Sequence, residues 1–438
     1  MDRRGPEFER RAADWLSPAE AERRILGGCE PLPAETTPLL ECMGRAVADD
    51  IVAEARLPAW DNAGMDGYAV AGREIAGASP EAPIALQVRR SVLAGGGVGQ
   101  PVEEGEAVRI TTGAPVPPGA DSVIRVEDTD SEAHPGRVFV FRDRDGGRNI
   151  RPAGQDVRPG DKVLTRGQAV HAGTVAVLAA LGRDRVSVFR RPTVAIVTTG
   201  DELRPLDDFA GGRGATGVPD SNGPMLAACA VAAGAVPRSF GPISDERAAL
   251  REALGHTLSA DVLVTVGGAS MGEADLVKRV LDELGFRTGF WRVRMRPGSP
   301  FGFGWLPSAG RSQPVFSLPG NPASSYVTFE LFVRPFLLRL AGHRQIHRRR
   351  VRCVAAEEFR GSDLTLFLRV RLASEGAEIV AHSAGPQGSG LVRGLAEAHG
   401  LAIVPEGRSV AAGAHVDVIL LDPEAGPAAG SPLEGLGG

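Results

Sequence analysis

The stretch Thr193-Val194-Ala195-Ile196-Val197-Thr198-Thr199-Gly200-Asp201-Glu202 decides the fold. Val194 to Val197 is continuously apolar, without the alternation of a half-exposed strand, so it reads as a strand buried on both faces. The pattern recurs at Val262 to Val266, followed by Gly267-Gly268-Ala269-Ser270-Met271-Gly272-Glu273-Ala274-Asp275. It recurs again at Val315 to Leu318, followed by Pro319-Gly320-Asn321-Pro322. Met225 to Ala233 and Asp275 to Leu284 have helical spacing, and a long helix is expected after Asn321-Pro322. Buried strands alternating with helices predict an α/β fold with a doubly wound parallel sheet over residues 191–342.

Outward from this domain the pattern changes. Ser17-Pro18-Ala19-Glu20 is a capping box with proline at the first helical position, and Ala21, Ile25 and Leu26 follow on one face. From Ile51 to about Arg190 short β-like runs (Ile84 to Val88, Val138 to Phe141, Val163 to Leu164) are cut by turns such as Pro159-Gly160-Asp161, with a helix near Gly173 to Leu181. After His343 to Arg350, which reads as a linker with Arg348-Arg349-Arg350 solvated, five runs from Val351 to Leu421 predict a small all-β domain. Residues beyond Asp422 read as a loose tail.

At 438 residues the chain is long enough for about two to four domains. A net charge of −5 argues against a nucleic-acid-coating protein. Only Lys162 and Lys278 are lysines, so any cationic site is built mainly from guanidinium. Cys29, Cys42, Cys229 and Cys353 lack C-x-x-C spacing and read as free, mostly buried thiols. The charged N-terminus has no signal-peptide core, and no run approaches the ~20 apolar residues of a membrane span. The expected location is cytoplasmic.

Ligands of open parallel sheets bind beyond the carboxyl ends of the strands. Glycine at these ends admits a ligand close to the backbone, and the helix N-termini that follow favour an anion such as a phosphate. The same glycines could simply make turns. Asp201, Glu202, Glu273, Asp275 and Asp245 gather at these ends, and carboxylates beside a phosphate suggest an intervening Mg²⁺; helix capping is the other reading for Asp245 and Asp275. In Trp291-Arg292-Val293-Arg294-Met295-Arg296-Pro297-Gly298-Ser299-Pro300 strand spacing would turn Arg292, Arg294 and Arg296 to one face, suited to an oxyanion. No P-loop motif occurs, Gly95 to Gly99 is a loop, and His343 and His347 read as linker rather than as a zinc site.

With Pro58-Ala59-Trp60-Asp61-Asn62-Ala63-Gly64-Met65-Asp66-Gly67-Tyr68-Ala69, Arg109-Ile110-Thr111-Thr112-Gly113-Ala114-Pro115, Asp220-Ser221-Asn222 and the three strand ends above, the chain resembles the molybdopterin molybdenumtransferase family, related to the gephyrin C-terminal domain. The likeness runs from about Ser17 to Asp422. It implies a helical N-terminal domain (1–55 with 154–190), an inserted β-rich domain (56–153), the molybdopterin-binding α/β domain (191–342), a C-terminal β-barrel (343–422) and a tail (423–438). It also implies a homodimer that inserts molybdate into adenylylated molybdopterin, releasing AMP with the help of Mg²⁺. Molybdopterin adenylyltransferase and recipient molybdoenzymes are the implied protein partners, with neither nucleic acid nor membrane. Asp61, Asp66 and Thr112 would reach the site across the dimer, acting with Glu202, Asp275 and Arg296. Glu202, Asp245 and Asp275 would hold the metal. Thr199, Gly200, Asp201, Asn222, Gly267, Gly268, Ser270, Lys278, Pro319, Gly320, Asn321 and Ser324 would line the pterin and phosphate. Ser299, Pro300, Arg369 and Ser389 would surround molybdate with Arg296. The chain departs from the family pattern at Ser299, where lysine is frequent, at Gln155, where glutamate is usual, and at Gly223-Pro224, where arginine is common. These departures leave a molybdopterin-binding scaffold as the alternative to the enzyme.

Overall fold

The computed structural model describes residues 15–131, 133–212, 216–267, 274–308, 310–376 and 378–421. The expected tail and the charged N-terminal residues lie outside them. A six-stranded sheet forms the centre, in the order Val236–Ile243, Thr193–Thr199, Val262–Val266, Arg311–Leu318, Gly302–Ser308, Arg287–Trp291. The first four strands are parallel. The expected runs are buried on both sides: Val194 and Ile196 pack with Leu226, Phe316 and Phe336, while Ala195 and Val197 pack with Leu250, Leu254 and Leu281.

The sheet is not wholly parallel. Gly302–Ser308 and Arg287–Trp291 each run antiparallel to their neighbour. The chain between Ser308 and Arg311 is two residues, with Gly310 at φ +83°. A connection that short can only turn back as a hairpin, whereas a parallel crossover needs about a dozen residues. Nor is Trp291 to Pro300 one strand. Arg292 sits at φ +87°, and Met295–Arg296 leaves the central sheet to pair with Thr365 and Leu366 of the barrel. The long helix forms as Pro322–Thr328 and Arg334–Leu340 around a π turn, Phe329–Val333, where the Arg334 N–H donates to the Phe329 carbonyl. Pro335, which has no N–H to donate, follows at once.

Ser17 caps the helix Pro18–Leu26 by accepting the Glu20 N–H at 3.2 Å. The Glu20 carboxylate turns to Arg24 at 2.7 Å, so the box is closed from one side. Ala21 and Ile25 are fully buried in the same core as Phe332 and Phe336, which docks this helix on the α/β domain. Ala34–Pro38 pairs with Arg185–Phe189 and Ile51–Val52 with Lys162–Leu164, beside the helix Ala172–Ala180; Val47, Leu164, Leu178 and Val188 form their core. The inserted region folds as a five-stranded sheet in the order Ser122–Arg125, Gly67–Val70, Glu106–Ile110, Ile84–Val92, Arg137–Val140. The barrel closes through Thr365–Glu375, Glu378–Ser383, Arg350–Ala355, His415–Leu420 and Gly400–Val404, the last pairing back to the first.

The four cysteines are free and buried, and no described helix is long and apolar enough to cross a membrane. Arg348 is not solvated. Its guanidinium holds both oxygens of buried Glu330, at 2.8 and 3.1 Å, because the linker crosses the helix that carries Glu330.

Asp261 ties the entry of the central sheet together. Its carboxylate accepts from Arg190 at 2.9 and 2.8 Å, from the Thr193 N–H and hydroxyl at 2.8 and 2.7 Å, and from Arg311 at 3.2 Å. These donors outweigh burial and hold its carboxyl down to about 2. An unfolded aspartate titrates near ~3.9, so the folded state gains about 2 kcal/mol from this group above pH ~4. That gain fades as pH falls toward 2. Urea midpoints for the wild type and Asp261→Asn should therefore differ most at neutral pH and draw together as pH falls from about 4 to about 2; a gap that widens in acid would contradict this.

Candidate active site

The ends of the parallel strands meet through backbone. Gly267 has φ +105°, and a Cβ there would lie 2.5 Å from the Thr199 carbonyl oxygen. A Cβ on Gly320 would lie 3.5 Å from the Gly267 Cα. Gly200, at φ +149°, would place a Cβ 2.8 Å from both Glu202 carboxylate oxygens. Thr199, Gly200, Gly267, Pro319 and Gly320 therefore form one floor, and side chains are excluded from it where the strands touch. Asn222, at the start of the helix Asn222–Ala232, closes this floor by donating its amide to the Gly320 carbonyl at 2.7 Å. Its Oδ1 is buried without a partner, an acceptor left open beside the floor. The helix start is fixed by Asp220, which accepts the Thr198 hydroxyl at 2.7 Å and the Gly223 N–H at 3.0 Å. Asp220 was legible only as part of the Asp220-Ser221-Asn222 motif, since nothing in its own spacing reveals the bond to Thr198.

Carboxylates gather at the same ends. Asp201 and Asp245 each accept the other's backbone N–H, at 2.9 and 3.3 Å. Burial, with repulsion from Asp201 and Glu202, pushes the Asp245 carboxyl above its ordinary value despite the Asp201 N–H. Negative charge is thus concentrated at these ends, where Arg204 donates to the Asp201 carbonyl at 2.7 Å rather than to a carboxylate, which suits a hard divalent ion with oxygen ligands. Among the described residues no three carboxylates, histidines or cysteines close to metal-binding spacing. Gly268 and Ser270 lie outside the described residues, and Asp275 is placed by its backbone alone, in the first turn of the helix Ala274–Glu283. Lys278 pairs with Asp282 on its own helix at 2.8 Å.

The other side of the Pro319-Gly320-Asn321 turn meets the barrel. The Asn321 amide donates to the Ser389 hydroxyl at 3.1 Å, and the Ala323 N–H donates to the Ser389 carbonyl at 3.0 Å. Ser324 is buried one residue further on. Arg369 is 1% exposed and donates to the carbonyls of Pro386 and Gly388, at 2.9 and 3.1 Å, while its Nε has no partner. Gln387, which sequence reasoning missed, grips the Arg369 backbone from both sides, at 2.9 and 3.0 Å. Burial without a carboxylate beside it lowers the Arg369 pKa. Of the three arginines expected on one face, Arg292 lies over Trp15 at 5.2 Å and Arg294 reaches Glu406 at 3.3 Å. Arg296 is exposed, with no ion pair among the described residues, at the seam of the two domains. The Ser299 hydroxyl bonds the Met295 carbonyl, and Pro300 is half-buried next to it.

Asp66 and Thr112 meet in the β-rich domain, and Asp61 lies on the same segment, tied elsewhere. Asp66 accepts the Thr112 N–H and hydroxyl, both at 2.7 Å, which holds its carboxyl below the ordinary value. Asp61 accepts the Ala153 N–H at 2.6 Å. Their partners belong to their own domain, while the acids and arginines above belong to the α/β domain and the barrel.

Family models match three consecutive parts of the chain: "MoeA N-terminal region (domain I and II)" over residues 16–182, "Probable molybdopterin binding domain" over 195–339, and "MoeA C-terminal region (domain IV)" over 353–421. The molybdopterin molybdenumtransferase of Bacillus subtilis is 34% identical over 416 residues, covering 93% of this chain and 94% of that protein. The chain belongs to the molybdopterin molybdenumtransferase family. Molybdopterin molybdenumtransferase 2 of Mycobacterium tuberculosis is 35% identical over 405 residues, 90% of this chain and 96% of that one. A solved molybdopterin biosynthesis MoeA protein from Pyrococcus horikoshii superposes with a TM-score of 0.77 at 26% identity, covering 93% of this chain and 100% of that one. For this molybdenumtransferase the floor predicts a sharp intolerance. Gly267→Ala forces a methyl against the Thr199 carbonyl at a φ that L-residues avoid, so it should cost about 1–3 kcal/mol of stability and abolish molybdopterin binding. Calorimetry with and without molybdopterin checks both, and an alanine variant that binds normally would show that the floor is looser than described.

Proposed function

We propose that this enzyme inserts molybdenum from molybdate into adenylylated molybdopterin, releasing AMP and forming the molybdenum cofactor. The observation that carries the reading is the Pro319-Gly320-Asn321 turn. One side of it bonds Asn222 beside the glycine floor, and the other bonds Ser389 on the loop held by Arg369. A ligand on this turn reaches backbone N–H groups of the strand ends and, through the barrel loop, guanidinium charge. That combination suits a molecule with a phosphate at one end and an oxyanion partner at the other.

The floor would hold the pterin and phosphate, with Ser270 and Asn321 along the pterin. Arg296, Ser299, Pro300, Arg369 and Ser389 would position molybdate against the dithiolene. Glu202, Asp245 and Asp275 would hold Mg²⁺, which when bound would supply positive charge beside the phosphoanhydride. Two dithiol protons leave with one molybdate oxygen as water, and a water enters the broken phosphoanhydride, so the atoms balance. As a homodimer, the enzyme would bring Asp61, Asp66 and Thr112 of one subunit to the cleft of the other. Free thiols and the water-soluble substrates accord with a cytoplasmic enzyme placed between molybdopterin adenylyltransferase and recipient molybdoenzymes.

Purified protein given adenylyl-molybdopterin, molybdate and Mg²⁺ should release AMP and activate an apo-molybdoenzyme. Tight molybdopterin binding without AMP release would instead identify a scaffold. Asp275→Ala should lower kcat about 100-fold or more with a near-normal melting temperature. Arg296→Gln should raise the KM for molybdate about tenfold, the loss expected for one charge-assisted contact. An unchanged kcat in the first variant or KM in the second would remove that residue from its role.

A further inference from the structure

Trp60 has no part in the roles assigned above. It is 44% exposed. The other tryptophans are engaged: Trp15 lies under Arg292, while Trp291 and Trp305 pack against the two faces of the central core. A half-exposed indole joins an apolar body to a π system, so on a well-tied loop it can receive a flat ring.

The loop is fixed on both sides of the ring. Before it, the Leu57 N–H donates to the Val157 carbonyl at 2.8 Å and the Gly154 N–H to the Pro58 carbonyl at 2.9 Å. After it, Asp61 takes the Ala153 N–H on its carboxylate at 2.6 Å and the Val116 N–H on its carbonyl at 2.9 Å. Two exposed guanidinium groups share this cluster. Arg151 is the strand partner of Asn62, and Arg56 lies beside Gly154, whose Cβ would fall 3.5 Å from the Arg56 Cβ. A half-exposed indole on a tied loop, with two exposed arginines on the backbone beside it, offers the chemistry that recognises a nucleotide, with the base on the ring and the phosphate on a guanidinium.

We infer that Trp60 is the platform on which the adenine of adenylyl-molybdopterin stacks, with Arg56 and Arg151 set for the adenylyl phosphate. The inference rests on the function proposed above and adds a binding residue to it. Stacking needs a π face, so apolar bulk alone does not replace it. An indole at this place also makes AMP itself a ligand of the loop.

The test combines binding and turnover. AMP should quench tryptophan fluorescence of the wild type, and Trp60→Phe should remove most of that quench. In the AMP-release assay Trp60→Ala and Trp60→Leu should raise the KM for adenylyl-molybdopterin about 10- to 100-fold, with the loss on KM rather than kcat, while Trp60→Phe stays within about threefold of wild type. Several results would overturn the assignment: a wild-type KM in the alanine variant, full rescue by leucine, or a quench that survives Trp60→Phe. Dissociation of the dimer at unchanged KM would also overturn it, by making Trp60 a subunit contact. A wild type that releases no AMP defeats the proposed function, whereas an active wild type with indifferent Trp60 variants defeats this inference alone.

Discussion

Everything at the site depends on how closely the strand ends approach at Gly267. With the Thr199 carbonyl 2.5 Å from where a Cβ would stand, a side chain there would drive the second strand away from the first. Gly320 follows the third strand to within van der Waals range of Gly267, and Asn222 is then close enough to bond the Gly320 carbonyl. The parallel order of these strands puts all their carboxyl ends on one edge, and the helices that follow start there with the positive ends of their dipoles. A polar ligand floor is thus a consequence of the topology plus glycine, before any charged side chain is considered.

The Pro319-Gly320-Asn321 turn extends this floor into the barrel. Asn321 and Ala323 hold Ser389, and the Ser389 loop is held from beneath by Arg369. Arg369 is therefore a structural support and a charge at once. Its partners are carbonyl oxygens, so its charge remains unneutralised in a medium of low polarity. Arg296 arrives at the same seam because Met295–Arg296 leaves the central sheet and adds to the Thr365–Glu375 strand that carries Arg369.

The central strands were legible because burial on both faces leaves an uninterrupted apolar run. Arg311-Ser312-Gln313 concealed the start of the hairpin, since a strand that opens with polar residues breaks such a run. Arg348 was misread for the opposite reason: a basic triplet looks solvated until a helix supplies Glu330 beneath it. The glycine-acid strand ends were readable as a candidate site from chemistry alone. Asp61, Asp66, Thr112, Arg369 and Ser389 are candidates only through resemblance, because they come from separate domains and nothing in local spacing links them.

The charge that Ser299 does not bring can be considered in the same terms. Arginine has displaced lysine almost everywhere in this chain, so a cation required at that position would be expected as arginine, as at Arg296. Gly298, just before it, sits at φ +107° with its Cβ direction 2.5 Å from a methyl of Thr328, and the Ser299 hydroxyl closes the turn onto the Met295 carbonyl. A short residue that can donate to that carbonyl fits the tight turn, and a long guanidinium stem would trade this bond for charge. With Arg369 buried behind the Ser389 loop, bonded only to carbonyls, and Arg296 exposed at the seam, positive potential reaches this turn from two sides. Ser299 then shapes the turn that aims Arg296.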